Sequence, residues 1–184
     1  ILIGVTNKNL STYKMHEDTK IIAGYAFYEC ARMTSIAIPD GVRSIGYGAF
    51  SSCSSLTSVT IGNSVTSISY GAFDGCDALT SVTIGNSVTS IGSYAFVDCV
   101  ALTSVTIPDS VTSIGSYAFS SCSRLTSVTI GNCAAVIGSG AFSNCHSSLY
   151  TEYELGRYVK ANENPYAILI GVTNKNLSTY KMHE

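Results

Sequence analysis

Along most of this chain a short alternation of apolar and polar positions breaks at a turn and then returns in the same phase 23 residues later. The run Leu56-Thr57-Ser58-Val59-Thr60-Ile61 recurs unchanged at 79–84, 102–107 and 125–130. A looser copy stands at 33–38 and a more distant one at 10–15. Self-similarity at a fixed period of this length marks a solenoid, whose units cannot bury an apolar face alone and so stack on one another. On an extended backbone Val59 and Ile61 point one way and Ser58 and Thr60 the other. Strands are therefore predicted near 58–61, 81–84, 104–107 and 127–130. They pair in parallel, because every coil travels in the same direction before it stacks.

The rest of each coil follows from its chemistry. The turn after the strand is Pro39-Asp40 or Pro108-Asp109 in some coils and Gly62-Asn63, Gly85-Asn86 or Gly131-Asn132 in others. These residue types suit tight turns, Pro through its fixed φ and Gly through its tolerance of positive φ. A Val-Thr-Ser-Ile segment comes next, with ends such as Val65 and Ile68 facing inward. The coil closes with Gly-x-x-Ala-Phe-x-x-Cys, where Ile91, Ala95 and Cys99 lie at i, i+4 and i+8. That spacing predicts one or two helical turns with an inward face. Phe27, Phe50, Phe73, Phe96, Phe119 and Phe142 supply one ring per coil and the main apolar filling.

The pattern stops after Cys145. Leu149, Thr151, Tyr153 and Leu155 alternate as a strand does, Gly156 permits a turn, residues 157–160 return, and 166–173 form a third extended run. This reads as a β-hairpin insertion at 146–167. Residues 1–17 then reappear unchanged as 168–184. The organisation expected is a first coil at 1–17, an array at 18–145, the insertion, and the start of a further unit at 168–184.

Charged residues make up 12% of the chain, against roughly 25% in ordinary soluble domains, so Ser and Thr carry the polar surface. Net charge is −2, and from Ser44 to Ser123 the only charges are Asp74, Asp77, Asp98 and Asp109. A nucleic-acid binder needs a basic stripe, and this array has the opposite sign. No apolar run is long enough to cross a membrane. Ile1-Leu2-Ile3 has neither a basic lead nor a cleavage pattern, and the chain reads as a stretch of a longer protein.

The segment Leu102-Thr-Ser-Val-Thr-Ile-Pro-Asp-Ser-Val-Thr-Ser-Ile-Gly-Ser-Tyr-Ala-Phe-Ser-Ser-Cys122 resembles the repeat of BspA-like leucine-rich-repeat proteins, found on bacterial surfaces and in some protists. The likeness extends over about residues 10–145. It loosens where Gly replaces Pro in three turns and at Asn132-Cys133-Ala134. The resemblance implies an α/β solenoid wound as a right-handed superhelix. Its parallel β-sheet would line the concave face, with short helical turns or irregular extended segments on the convex face. It further implies a cell-surface or secreted location, adhesion or binding of a host or matrix protein, and no catalytic residues.

Candidate chemistry is sparse. Cys30, Cys53, Cys76, Cys99, Cys122 and Cys145 lie 23 apart, with Cys133 outside the series. They form no close pairs of the kind zinc sites use, and they read as a ladder of small buried thiols. His16, His146 and His183 fit no nucleophile or metal pattern. Gly138-Ser139-Gly140 is not a nucleophile elbow. No enzyme, cofactor or metal site is expected. Two surfaces remain as candidates. The first is the pair of rows Ser58/Thr60, Ser81/Thr83, Ser104/Thr106 and Ser127/Thr129, about 5 Å apart from coil to coil. These could hold a protein, a glycan or ice, or serve only as a solvated sheet face. The second is Tyr150, Tyr153, Tyr158 and Tyr166 of the insertion, since Tyr is enriched at binding hot spots; they could instead pack over the solenoid. A protein-binding module and a structural spacer are the two functional readings, with the neighbouring repeats of the same chain as partners in either case.

Overall fold

A computed structural model of the protein describes residues 1–131, 136–153, 156–161 and 164–172, with side chains for 1–131 and 136–150. It is a β-solenoid. Each coil contributes one longer strand, a turn, a two-residue strand and a run of tight turns. The longer strands are β2 (Ser35–Ile38), β4 (Ser58–Ile61), β6 (Ser81–Thr83), β8 (Ser104–Ile107) and β10 (Ser127–Ile130). Their burial alternates as the sequence dictates, with Val59 and Ile61 each 2% exposed. The register places identical residues side by side: Ser58 against Ser81, Thr60 against Thr83, Ser104 against Ser127 and Thr106 against Thr129, all in parallel.

The Ser-Ile ends of the next segment form a second parallel sheet that the alternation did not announce. It comprises β1 (Ile21–Ile22), β3 (Ser44–Ile45), β5 (Ser67–Ile68), β7 (Ser90–Ile91), β9 (Ser113–Ile114) and β11 (Val136–Ile137), in that spatial order. This sheet runs unbroken. The long-strand sheet does not, for β2, β4 and β6 form one piece and β8 and β10 another. The lapse has a chemical correlate. Gly131 after β10 donates its N–H to the Ile107 carbonyl at 2.9 Å, whereas Pro108 after β8 has no N–H to give the preceding coil. Pro39 after β2 repeats the case, and there a single bridge, Thr12 to Ser35, reaches the coil before.

The expected helical turns are not formed. Two residues per coil adopt left-handed φ: Tyr25, Gly48, Gly71, Tyr94, Tyr117 and Gly140 at the first position, and Glu29, Ser52, Gly75, Asp98, Ser121 and Asn144 at the second. A left-handed residue every fourth position breaks a right-handed helix. The N–H groups instead alternate between short turns and the next coil. Ala26 donates to Ala23 and Tyr28 to Tyr25, while Phe27 donates to Ala49 at 2.7 Å and Glu29 to Ser51 at 2.9 Å. This face is thus a third hydrogen-bonded wall. Coils approach so closely that a Cβ on Gly92 would lie 2.7 Å from the Ser69 and Tyr70 backbone.

Between the walls lies one continuous core. The six Phe rings are fully buried and stack face to face, Phe50 on Phe73 at 5.0 Å and 1° and Phe73 on Phe96 at 5.1 Å and 5°. Tyr13 closes one end edge-on against Phe27. At the other end a 3-10 turn at Ser147–Leu149 leads into β12 (Tyr150–Tyr153), β13 (Gly156–Ala161) and β14 (Asn164–Val172). β13 pairs antiparallel with both β12 and β14 and touches β10 in parallel at Val128 and Ala161. The second copy of the duplicated segment lies outside the described residues beyond Val172.

Candidate functional site

The Ser/Thr rows are where the alternation puts them. Thr60, Ser81, Thr83, Ser104, Thr106, Ser127 and Thr129 are exposed and Ser58 is half-buried. The rows are two shorter segments, because no strand pairing joins Thr83 to Thr106 among the described residues. A neighbouring set of hydroxyls is already engaged. Thr57 Oγ1 donates to the Thr34 carbonyl at 2.9 Å, Thr80 to Thr57 at 3.0 Å and Thr89 to Thr66 at 3.0 Å. Those threonines tie coil to coil. At the turns Asn63 Oδ1 accepts the Asn86 N–H at 3.1 Å, and Asp40 accepts that of Asn63 at 2.6 Å.

Tyr150 does not belong to an exposed surface. It is 9% exposed; its hydroxyl donates to the Phe142 carbonyl at 2.6 Å and accepts the Cys145 N–H at 2.8 Å. These bonds satisfy backbone groups at the end of the array, so the ring closes the core there. The backbone of Tyr153, Tyr158 and Tyr166 falls in β12, β13 and β14, while their side chains lie outside the described ones.

A different row of tyrosines stands on the wall of tight turns. Tyr25, Tyr47, Tyr70, Tyr94 and Tyr117 succeed one another with ring centroids 5.1, 5.1, 5.2 and 5.2 Å apart, and Tyr28 meets Tyr25 edge-on at 5.6 Å. Tyr25, Tyr47 and Tyr70 are 52%, 48% and 45% exposed. The backbone explains the row. The first left-handed position holds Tyr at 25, 94 and 117 and Gly at 48, 71 and 140. Before Gly48 and Gly71 the preceding residue, Tyr47 or Tyr70, is the Tyr instead, and before Gly140 it is Ser139, where the row ends. Rings from two adjacent positions thus converge on one line, and steps of 22, 23 and 24 residues hide it from a search at fixed period.

Beside this row a groove is lined by Tyr25, Tyr28, Tyr47, Tyr70, Asp74 and the two glycines Gly48 and Gly71. Burial, then the Asp98 and Asp77 carboxylates, raise the Asp74 carboxyl above its ordinary range. The Tyr70 hydroxyl is raised by burial, then by Tyr47, Tyr94 and Asp74. Asp74 is the one charged side chain among the residues that line the groove. Among the described residues the sole close contact between groups able to pair as ions is that of His16 Nδ1 with Asp18 Oδ2 at 3.6 Å, and it does not involve a residue of the groove.

The ladder thiols are free and, apart from half-buried Cys145, fully covered. Burial pushes the Cys53 thiol up to about 12 and that of Cys145 to about 11. Cys133 lies outside the described residues. Among those described, no cluster of His, Cys, Asp and Glu could hold a metal ion, and no helix is long and apolar enough to cross a membrane.

Comparison with known proteins agrees with this geometry. No curated protein matches the chain. Among solved structures it is similar to a leucine-rich-repeat protein of T. pallidum, at 29% identity and TM-score 0.63, over 69% of this chain and 70% of that one. It is also similar to leucine-rich-repeat proteins of Eubacterium ventriosum and Bacteroides ovatus. These are each 26% identical, with TM-scores of 0.65 and 0.59 over 78% and 77% of this chain. It spans 44% and 48% of their lengths. The model of the BspA type leucine-rich-repeat region matches residues 20–149 in six copies, and the chain belongs to that family.

Proposed function

We propose that this chain is a non-enzymatic binding segment of a cell-surface protein, which holds a protein ligand against the outer faces of its coils. The observation that carries the reading is the largely exposed tyrosine row on a surface otherwise rich in hydroxyls. A protein partner needs aromatic or apolar anchors, because a bare hydroxyl row offers little area and holds water well. Tyr supplies large amphipathic area with few rotatable bonds, and stacking on a repeat backbone fixes the rings before any partner arrives. In this reading Tyr153, Tyr158 and Tyr166 extend the contact from an insertion at 146–167, and the Ser/Thr rows orient the ligand from a concave sheet of a right-handed superhelix. Residues 168–184 open a further unit.

The test is capture from a panel of extracellular-matrix proteins by the parent and three paired variants. Tyr47→Ser/Tyr70→Ser is expected to weaken capture most, Tyr153→Ser/Tyr158→Ser next, and Thr83→Ala/Thr106→Ala least. The rival reading is a structural spacer, favoured by the near-identical coils and their hydroxyl-rich face. A parent that captures nothing decides for the spacer.

A further inference from the structure

We propose that the groove over Gly71, walled by Tyr47, Tyr70 and Asp74, receives an arginine side chain from an extended segment of the protein partner. This rests on the protein-binding reading above and names the chemistry that would be recognised.

The first argument is shape. Along the strip the glycine positions are covered by rings. A Cβ on Gly48 would meet the Tyr25 ring at 2.7 Å, and one on Gly140 would meet that of Tyr117. At Gly71 the same construction meets only the Asp74 Cβ, at 3.8 Å. Gly71 itself is buried, so the accessible part of the groove is bounded by the Tyr47 and Tyr70 rings and by the half-buried Asp74 carboxylate.

The second argument is charge. From Ser44 to Ser123 the chain carries four aspartates and no basic residue. Asp74 is half-buried, its charged neighbours are Asp98 and Asp77, and it makes no ion pair among the described residues. A carboxylate drawn partly out of water among like charges is unfavourable in the free protein, and an incoming cation reverses that. Complementary potential of this kind selects partners and speeds encounter.

The third argument decides between cations and between partner classes. Guanidinium is planar and can offer a carboxylate two parallel N–H donors, with others left for tyrosine hydroxyls; ammonium is a compact, strongly hydrated point charge. A linear glycan would need open flat ring faces. At the groove Tyr47 and Tyr70 face each other, parallel within 3° at 5.1 Å, and Tyr25 and Tyr94 stand 5.1 and 5.2 Å beyond them, inclined at 63° and 40°. What the strip presents outward is ring edges and hydroxyls beside a carboxylate.

The chain has 12 tyrosines and no tryptophan, so intrinsic fluorescence comes from tyrosine alone, and the strip contribution is the part of a peptide-induced change that is lost in Tyr47→Ser/Tyr70→Ser. The probes are the aromatic-free peptide Gly-Ser-Arg-Gly-Arg-Ser-Gly and its lysine and glutamate counterparts. The arginine peptide is expected to bind, more weakly as salt rises; the lysine peptide should bind less well and the glutamate peptide not at all. Asp74→Asn should weaken arginine-peptide binding about tenfold without lowering the melting temperature, while Asp109→Asn, in a turn of another wall, should bind as the parent does. Unaltered binding by Asp74→Asn, equal binding of the arginine and glutamate peptides, or displacement of the arginine peptide by a soluble β-linked oligosaccharide would each overturn the proposal. If Asp74→Asn captures matrix protein like the parent while Tyr153→Ser/Tyr158→Ser does not, this inference falls and the binding function stands. If the parent captures no protein and binds no peptide, both fall.

Discussion

The Sγ of Cys76 donates a hydrogen bond to the carbonyl oxygen of Phe50, 3.3 Å away and 26 residues earlier in the chain. The same bond recurs from Cys53 to Phe27, Cys99 to Phe73, Cys122 to Phe96 and Cys145 to Phe119, at 3.2 to 3.3 Å. Each cysteine is thus an apolar filler and a weak donor between coils. Cys76→Ala removes a buried atom and the donor together, and should cost about 1–2 kcal/mol. Cys76→Ser should cost more, because the shorter C–O bond leaves a buried hydroxyl short of the carbonyl. Denaturant unfolding of the two variants checks the order; a Ser variant more stable than the Ala one would show that the bond, rather than apolar packing, selects cysteine here.

Thiol chemistry follows from the same burial. Only the thiolate reacts readily, and burial raises the Cys53 thiol to about 12 and that of Cys145 to about 11. In the native protein at neutral pH, the five fully buried ladder cysteines should therefore resist alkylation until the protein unfolds. Thiol counts with and without denaturant measure this. Rapid native labelling of Cys76 or Cys99 would contradict the assignment of this ladder to the interior.

The phenylalanine stack sets the largest single stability effect. Phe73 is flanked by Phe50 and Phe96 and has no exposed surface. Phe73→Ala should cost about 3–5 kcal/mol, since the cavity cannot close between coils fixed on three walls. Because coils stabilise one another through nearest-neighbour interfaces, the loss should broaden or split the unfolding transition. A single sharp transition shifted by less than about 1 kcal/mol would remove this ring from the core.

Period, strand register and inward residues were legible because Val59, Ile61, Phe73 and Cys76 repeat at one step and burial has a simple period. Other features share their sequence signal with something else. Ile91, Ala95 and Cys99 at i, i+4 and i+8 fit a helix and also a chain of turns broken by left-handed residues; the arbiter is the inter-coil hydrogen bond, as between Phe96 N–H and the Ala118 carbonyl at 2.7 Å. Ser90–Ile91 is too short to show alternation. The tyrosine row was missed because Tyr70 and Tyr94 occupy different positions of the repeat yet stand 5.2 Å apart. For Tyr150 the sequence leaves a binding surface and packing over the solenoid both open, because the residues around it do not repeat; its burial decides for packing.

The joint between β6 and β8 should be a local weak point. Its other two walls are intact, through Ile91 with Ile114 and Phe96 with Ala118; only the long-strand wall lacks pairing. Low-energy openings concentrate where backbone hydrogen bonds are few. Native-state hydrogen exchange should therefore find the amides of β8 exchanging before those of β10, which pair in full register with β8. Equal protection would mean that pairing across Thr83 and Thr106 forms in solution.

Asp74 gives the array an unusual pH response. Its carboxyl is raised by burial first and then by Asp98 and Asp77, so the folded chain holds this proton more tightly than the unfolded one. The favourable contribution is fully present below the ordinary aspartate value of about 3.9 and is lost as pH rises through the raised folded value. Above that window the ionised group destabilises the free protein, moderated by solvent because the side chain is only half-buried. Asp74→Asn removes the charge and should therefore melt higher than the parent at pH 7. The two curves should converge as the pH falls below the ordinary aspartate value. Asp109→Asn serves as the comparison, taken through the same series of melts. A parent and an Asp74→Asn variant with parallel profiles across the acid range would show that the carboxylate is fully solvated, and would withdraw the electrostatic argument for a cation in the groove.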